Sequence, residues 1–147
     1  MQWALFGLII VAGVLNGLQT GMNAQLTKTL GNPLLAAPVV YIIGLVALLA
    51  AAAFSGVRFG DYSKLGAAPW WSYLGGLGGA LFIYAMLSTT QKIGAGVFTA
   101  TTVTAAIVST VAIDHFGVLG VDTHPAGLGR LAGVVLMLGG VALVAKF

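Results

Sequence analysis

Five long apolar stretches restrict the fold of this chain more than any other feature of its sequence. A helix needs about 20 mostly apolar residues to cross a hydrocarbon core about 30 Å thick. The stretches also lack the alternation of polar and apolar residues that the strands of a membrane barrel need. The sequence therefore predicts an all-α membrane protein with five transmembrane helices in one integral membrane domain. The predicted helices cover residues 3–26, 34–54, 70–90, 94–113 and 127–145, and their only charged side chain is Arg130.

The composition leaves no room for a soluble domain. Hydrophobic residues make up 59% of the 147 residues and charged residues only 6%, against about 25% in an average soluble domain. The first stretch has no basic residue before it and continues past Gly21, which favours a retained helix over a cleaved signal peptide. There is no cysteine, which excludes disulfides and thiolate nucleophiles. There is also no basic run that would predict a nucleic-acid partner.

The basic residues between the predicted helices are evenly balanced across the membrane. An excess of Lys and Arg normally marks the cytoplasmic side, and here neither side has one. We therefore expect dual topology, in which copies insert in both directions and pair as an antiparallel homodimer. The alternative is an orientation that a subtler signal sets. One side receives Arg58, Lys64 and Arg130, and the other receives Lys28, Lys92 and Lys146.

Polar side chains inside the predicted helices are costly unless they are satisfied, so their placement is informative. In the first helix they share one arc of about 100°, beside a bare strip of glycines at positions 13, 17 and 21. This amide-rich face suits either hydrogen bonds between helices or a polar cavity, and we favour the cavity. The residues on the face are Asn16, Gln19, Thr20 and Asn23.

The third and fourth helices each add a polar face to the predicted cavity. The third contributes Tyr73, Tyr84 and Ser88, while Trp70 and Trp71 fit an interfacial aromatic belt better. The fourth is rich in hydroxyl groups, which can alternatively donate to carbonyl groups of their own helix. The hydroxyl groups that share one face are predicted to bind substrate, and they include Thr99, Thr102 and Ser109.

Asp114 and His115 adjoin at the end of the fourth helix. A carboxylate beside an imidazole suggests a proton relay, but adjacent residues on a helix do not face each other. A helix cap is therefore the preferred interpretation. Asp122 and His124 follow in the next loop without the spacing of metal ligands, so we expect no metal and no cofactor.

The sequence contains none of the common catalytic motifs and no ionisable side chain deep in a predicted helix. We therefore expect no enzymatic activity. Proton exchange through a membrane-embedded glutamate is excluded for the same reason. A transported substrate would be neutral, zwitterionic or weakly polar, unless coupling runs through Asp114 and His115.

Several motifs together resemble the short five-span YdcZ-type family of the drug/metabolite transporter superfamily. The resemblance spans nearly the whole chain, and it implies half of a ten-helix inverted-repeat transporter that a second, antiparallel copy completes. It also implies a bacterial inner membrane protein with a central cavity and alternating access. The motifs are Asn16 to Asn23, Gly31-Asn32-Pro33, Pro69-Trp70-Trp71, Ile113-Asp114-His115-Phe116-Gly117, and Arg130 with Gly133.

The leading hypothesis is therefore a small-molecule transporter that acts as an antiparallel homodimer, or with a similar second chain as its partner. The alternatives are a non-transporting membrane subunit whose polar faces dock another membrane protein, and a passive pore. Related four-helix multidrug exporters carry a membrane glutamate that this chain lacks, so their exchange of protons for cations does not transfer. The resemblance does not supply a substrate.

Overall fold

The computed structural model describes residues 2–57 and 59–147, without the side chains of residues 2, 59, 61 and 62. Arg58, which entered the charge balance, lies outside the described residues. The described chain is helical and contains no strand, which confirms the all-α class. The α-helices are α1 (Gln2–Leu30), α2 (Pro33–Phe54), α3 (Leu74–Ile93), α4 (Ala95–Phe116) and α5 (Leu128–Lys146), with 3-10 helices at Phe59–Ala67 and Trp70–Tyr73.

Five helical segments are long and apolar enough to cross a membrane, as the sequence predicts. Very little of their surface is buried: no residue in the most apolar part of the fifth segment, and 22% of those in the third. Among the described residues only five apolar side chains are buried. A chain that exposes this much apolar surface requires lipid or other protein around it. The segments are Trp3–Leu30, Pro33–Phe54, Trp70–Ile93, Ala95–Phe116 and Leu128–Lys146, and the buried apolar residues are Ala36, Ile83, Met86, Leu87 and Phe98.

The first helix continues four residues beyond the C-terminal end of its predicted apolar stretch. The hydroxyl of Thr27 donates to the carbonyl oxygen of Asn23, and that of Thr29 donates to the carbonyl oxygen of Gln25, both at 3.1 Å. The helix stops where Gly31 adopts a φ of 71°, which favours glycine. The last turn therefore includes Lys28, a cation that suits the negative end of a helix dipole.

The next two membrane segments begin in different ways. Asn32 caps α2, because its Oδ1 accepts from the backbone N–H of Leu34 at 2.8 Å, and Pro33 occupies the first helical position. The third segment begins as a 3-10 turn, in which the hydroxyl of Ser72 donates to the carbonyl oxygen of Pro69 at 2.6 Å. A 3-10 turn advances more steeply per residue than an α-helix. Tyr73 therefore does not share the α-helical register that relates Tyr84 to the rest of α3.

The chain divides into two compact units. The first contains α1 up to Gly17 together with α4 and α5, and the second runs from Leu18 to Gln91. In the first unit α4 packs against α5, and α4 ends at Gly117, whose φ of 61° is left-handed. In the second unit α2 and α3 approach closely, because a Cβ on Gly79 would lie 3.1 Å from the Tyr41 hydroxyl.

Candidate functional site

Three buried polar side-chain atoms in the second unit have no hydrogen-bond partner among the described residues. They are Nδ2 of Asn23 on α1, and the hydroxyl oxygens of Ser88 and Thr90 on α3. Asn23 is 8% exposed and Thr90 is 4% exposed. A buried donor or acceptor without a partner costs about 1–3 kcal/mol. We call Asn23, Ser88 and Thr90 the donor cluster for their shared lack of a partner, although Ser88 and Thr90 are two residues apart on α3 and do not face each other.

A direct hydrogen bond joins the two helices beside the donor cluster. Nε2 of Gln91 donates to the carbonyl oxygen of Ala24 at 2.6 Å. Ala24 follows Asn23, and Gln91 follows Thr90, so this bond sets Asn23 and Thr90 at the same level of α1 and α3. With a helical rise of about 1.5 Å per residue, the cluster lies within about three turns of the C-terminal ends of both helices.

Periodicity explains the burial on both helices. On α3 the buried residues Ile83, Met86, Leu87 and Thr90 follow the spacing of one helix face, and Thr90 is the polar member of that stripe. On α1 the buried residues are Thr20, Asn23 and Thr27, which also share one face. The buried face of α1 is thus polar, whereas the buried face of α3 is apolar until its last turn.

Several other helical hydroxyl groups donate to a carbonyl oxygen of their own helix. Thr102 donates to the carbonyl oxygen of Phe98 at 2.9 Å, and Ser109 donates to that of Ala105 at 2.9 Å. Thr110 does the same with Ile107 at 3.1 Å, and Thr89 with Ala85 at 2.7 Å. This is the alternative that the sequence left open for α4. It makes Thr102 and Ser109 weaker candidates for substrate contact than Asn23 and Ser88.

The other predicted cavity residues differ in environment. Thr20 is buried, Thr99 is half-buried, and Asn16 and Gln19 are exposed on α1. Tyr84 is 42% exposed. The hydroxyl of Tyr73 donates to the carbonyl oxygen of Leu65 and so ties the 3-10 turn to the segment before it.

The first unit contains an open apolar groove of about 600 Å³. Thr99 and Thr104 supply its hydroxyl groups, and Thr104 is 4% exposed. Glycine and alanine residues form much of its wall, which lets another backbone approach closely. The small residues along the groove are Gly17, Ala95, Gly96, Ala100 and Gly140.

Asp114 and His115 join a set of contacts at the α4–α5 connection, which we call the α4–α5 clamp. Nη1 of Arg130 lies 3.6 Å from Oδ2 of Asp114 and donates to the carbonyl oxygen of His124 at 3.2 Å. The backbone N–H of His124 donates to the carbonyl oxygen of Asp114 at 2.7 Å. Nδ1 of His115 accepts from the backbone N–H of Ala126 at 3.1 Å. These contacts are those of a helix cap, and they occupy Nδ1 of His115 and Oδ2 of Asp114.

Sequence reasoning missed Thr90 and undervalued Thr104. Thr90 completes the spacing of residues 83, 86 and 87, so the helical period could have identified it as buried. Thr104 lies on the hydroxyl-rich fourth helix, but the sequence does not place it among the predicted cavity residues. No sequence signal distinguishes a hydroxyl that donates to its own helix from one that does not, because the χ1 rotamer decides this.

The described residues contain no group of three or more His, Asp or Glu side chains that could hold a metal ion. What the fold does define is a multi-pass integral membrane protein with short connections and unsatisfied polar groups inside two of its apolar helices.

The comparisons with known proteins specify this class further. The chain belongs to the YdcZ family: residues 4–143 match the family described as "Putative inner membrane exporter, YdcZ", which confirms the resemblance. The chain is also 27% identical over 138 residues to the inner membrane protein YdcZ of Escherichia coli (strain K12), which covers 94% of this chain and 92% of that protein. No solved structure matches it. The family description supports a transporter-like role.

Proposed function

We propose that this protein exports a small molecule across the bacterial inner membrane. The export mechanism is alternating access, and the functional unit is an antiparallel homodimer. The family description and the inner membrane relative support the direction and the location. The five apolar segments and short connections support a role within the bilayer.

The observation that carries the proposal is the donor cluster. Asn23 and Thr90 are more than nine-tenths buried, yet an atom of each has no partner within the described chain. A structural role would have left these atoms satisfied, as Thr89 and Thr102 are. A substrate that binds and leaves explains why the partner is absent from the chain itself. Asn23 and Ser88 are also among the substrate contacts that the sequence predicts.

The small number of buried apolar side chains supports association with a second copy. The apolar part of the fifth segment has no buried residue, and only five apolar side chains are buried among the described residues. A second copy in the opposite orientation covers part of this surface and completes ten helices. The balanced basic residues allow both orientations to insert. A similar second chain is the alternative partner.

A second candidate function rests on the groove of the first unit. Its wall of small residues, with Gly17, Gly96 and Gly140, suits the close approach of a helix from another membrane protein. In that case the protein is a non-transporting subunit. Purification from native membranes in stoichiometric complex with a different membrane protein would favour this function.

Release from proteoliposomes tests the transport proposal. The vesicles are loaded with a mixture of neutral and zwitterionic metabolites, and mass spectrometry follows their appearance outside. We expect release of one compound class that saturates with its concentration inside. Release that rises without saturation would indicate a pore, and no release above empty vesicles would contradict transport.

Reporter fusions at the C-terminus test the dual topology separately. A reporter active only in the cytoplasm and one active only in the periplasm should both give signal with the native chain. Two lysines added after Phe147 should leave signal from the cytoplasmic reporter alone, because the bias then favours one side. Signal from one reporter with the native chain would contradict dual topology.

A further inference from the structure

The apolar groove of the first unit extends along half of a membrane-spanning helix. Its wall on α4 runs from Ala95, the first residue of that helix, to Thr104. With a helical rise of about 1.5 Å per residue, this wall is about 14 Å long, close to half of a hydrocarbon core about 30 Å thick. On α5 the wall runs from Met137 to Val144, two residues before the helix ends. The groove therefore begins near one membrane surface and ends near the middle of the bilayer, as a lipid chain of one leaflet does.

The groove is too narrow to take in a helix. Its volume of about 600 Å³, spread over a length of about 14 Å, gives a cross-section of about 40 Å². A helix with its side chains is about 10–12 Å across, which corresponds to about 80–110 Å². An extended hydrocarbon chain is much thinner than a helix. The lining of the groove is apolar apart from two threonine hydroxyls, so a hydrocarbon chain fits it in chemistry as well as in width.

The membrane face at which the groove begins carries the whole net charge of the chain. The five spans alternate in direction, so the start of α4, the end of α5 and the end of α1 share one face. That face has three lysines and no acid, whereas the opposite face has three basic residues and all three acids of the sequence, so the net charge of +3 lies at the groove. The lysines are Lys28, Lys92 and Lys146, and the acids on the opposite face are Asp61, Asp114 and Asp122.

Two of these lysines adjoin the mouth of the groove. Lys92 precedes Ala95 by three residues and Lys146 follows Val144 by two, and both side chains are exposed. The first turn of α4 adds backbone donors, because the first N–H groups of a helix have no partner within it and no side chain caps this one at Gly94. Lysine side chains and a helix N-terminus both favour a negative charge. The mouth of the groove is therefore complementary to an anionic headgroup.

We propose that the groove binds one acyl chain of an anionic phospholipid, whose phosphate lies at the first turn of α4 near Lys92 and Lys146. The chain covers small residues of the wall, and the headgroup neutralises part of the positive charge of that face. The site is distinct from the donor cluster, which lies in the other unit. The inference does not depend on the transport proposal.

Native mass spectrometry of the purified full-length protein tests the choice of headgroup. The protein in detergent receives an equimolar mixture of phosphatidylglycerol, which is anionic, and phosphatidylcholine, which is zwitterionic, each with two oleoyl chains. We expect bound phosphatidylglycerol to exceed phosphatidylcholine at least about fivefold, the factor for one lysine worth about 1 kcal/mol at a membrane surface. Excess glycerol 3-phosphate should not displace the lipid, because it lacks the chain that fills the groove.

Two neighbouring glycines on α5 assign the bound chain to the groove. Gly140 lines the groove and Gly139 does not, while a Cβ at either position would meet no atom within 4 Å beyond its chain neighbours. Gly140→Leu fills the groove and should lower phosphatidylglycerol binding at least about fivefold, whereas Gly139→Leu should bind as the native protein does. Ala100→Leu fills the groove from α4 and should act like Gly140→Leu. The unfolding temperature without added lipid identifies which variants are folded.

Charge variants assign the headgroup preference. Lys92→Gln and Lys146→Gln should each reduce the preference for phosphatidylglycerol about fivefold, because each removes one cation near the headgroup. Lys64→Gln is the matched control, since it removes the same charge from the opposite membrane face. This control should retain the native preference.

The outcomes separate the lipid from other occupants of the groove. Equal binding of the two lipids would overturn the anionic headgroup, and displacement by glycerol 3-phosphate would indicate a site for free phosphate instead. Native lipid binding in folded Gly140→Leu or Ala100→Leu would place the lipid elsewhere. A different membrane protein that copurifies with the native chain and with Gly139→Leu, but not with Gly140→Leu, would assign the groove to that partner. None of these outcomes depends on release from proteoliposomes.

Discussion

The two units differ in one respect: the buried side-chain atoms that lack a partner among the described residues all lie in the second unit. In the first unit the hydroxyls of Thr102 and Ser109 donate to their own helix, and the charges of Asp114 and Arg130 pair with each other. In the second unit Asn23 and Thr90 are more deeply buried, and an atom of each has no partner in the described chain. Satisfied polar groups in an apolar helix stabilise it, whereas unsatisfied ones are retained at a cost. The comparison therefore separates residues that hold the fold from residues that we assign to the substrate.

The largest expected effect on stability is at the end of α4. Gly117 has a φ of 61°, and a Cβ there would lie within 2.4 Å of the Thr123 hydroxyl oxygen. Gly117→Ala should cost about 1–2 kcal/mol for the left-handed backbone and about 0.5–1.5 kcal/mol more because the exposed Thr123 side chain must leave its rotamer. Denaturant unfolding in detergent measures the loss.

Gly120→Ala is the control for Gly117→Ala. Gly120 also has a positive φ, of 78°, but a Cβ there would meet no atom within 4 Å beyond its chain neighbours. Gly120→Ala should therefore lose only the cost of the left-handed backbone, about 1–2 kcal/mol in the free energy of unfolding. Equal losses in the two variants would mean that the α4–α5 connection is not packed as described.

The next effect concerns the α4–α5 clamp. Arg130→Met removes the ion pair with Asp114 and the hydrogen bond to the carbonyl oxygen of His124. Both partners are partly exposed, so we expect a loss of about 1 kcal/mol in the free energy of unfolding. Saturable release should persist, because the clamp is assigned to the fold. Lost release with intact folding would instead support a proton relay through Asp114.

Removing a hydroxyl of the donor cluster should leave the free energy of unfolding unchanged or raise it, unlike the preceding substitutions. Thr90→Val replaces an unsatisfied buried hydroxyl with a methyl group of similar size, so the empty protein should be unchanged or more stable by about 1 kcal/mol. Chemical denaturation without added ligand measures this. A loss of more than about 1 kcal/mol would mean that the hydroxyl has a structural partner, and the comparison between the units would fail.

The smallest effect is expected at a satisfied hydroxyl on α4. Thr102→Val removes a bond to the carbonyl oxygen of Phe98, a carbonyl that still accepts from its own helix. The free energy of unfolding should change by no more than about 0.5 kcal/mol, as at sites without a special role. A larger change would show that the hydroxyls of α4 contribute more than local bonds.

The fold was predictable from the sequence because hydrocarbon thickness fixes the length of a spanning helix. The end of α1 was harder to predict, because the apolar stretch ends at residue 26 while the helix continues through Lys28 to Leu30. One of the three members of the donor cluster, Thr90, was harder still. The arc on α1 identified Asn23, but Thr90 requires knowledge of which face of α3 is buried.

Transport by the variant that carries both Asn23→Leu and Thr90→Val tests the central claim most directly. Saturable release from proteoliposomes and the free energy of unfolding are measured on the same preparation, with Thr89→Val as the control. The account predicts that release is lost while the free energy of unfolding stays at or above the native value. Native release, or a clear loss of stability together with lost release, would contradict the assignment of these two side chains to the substrate.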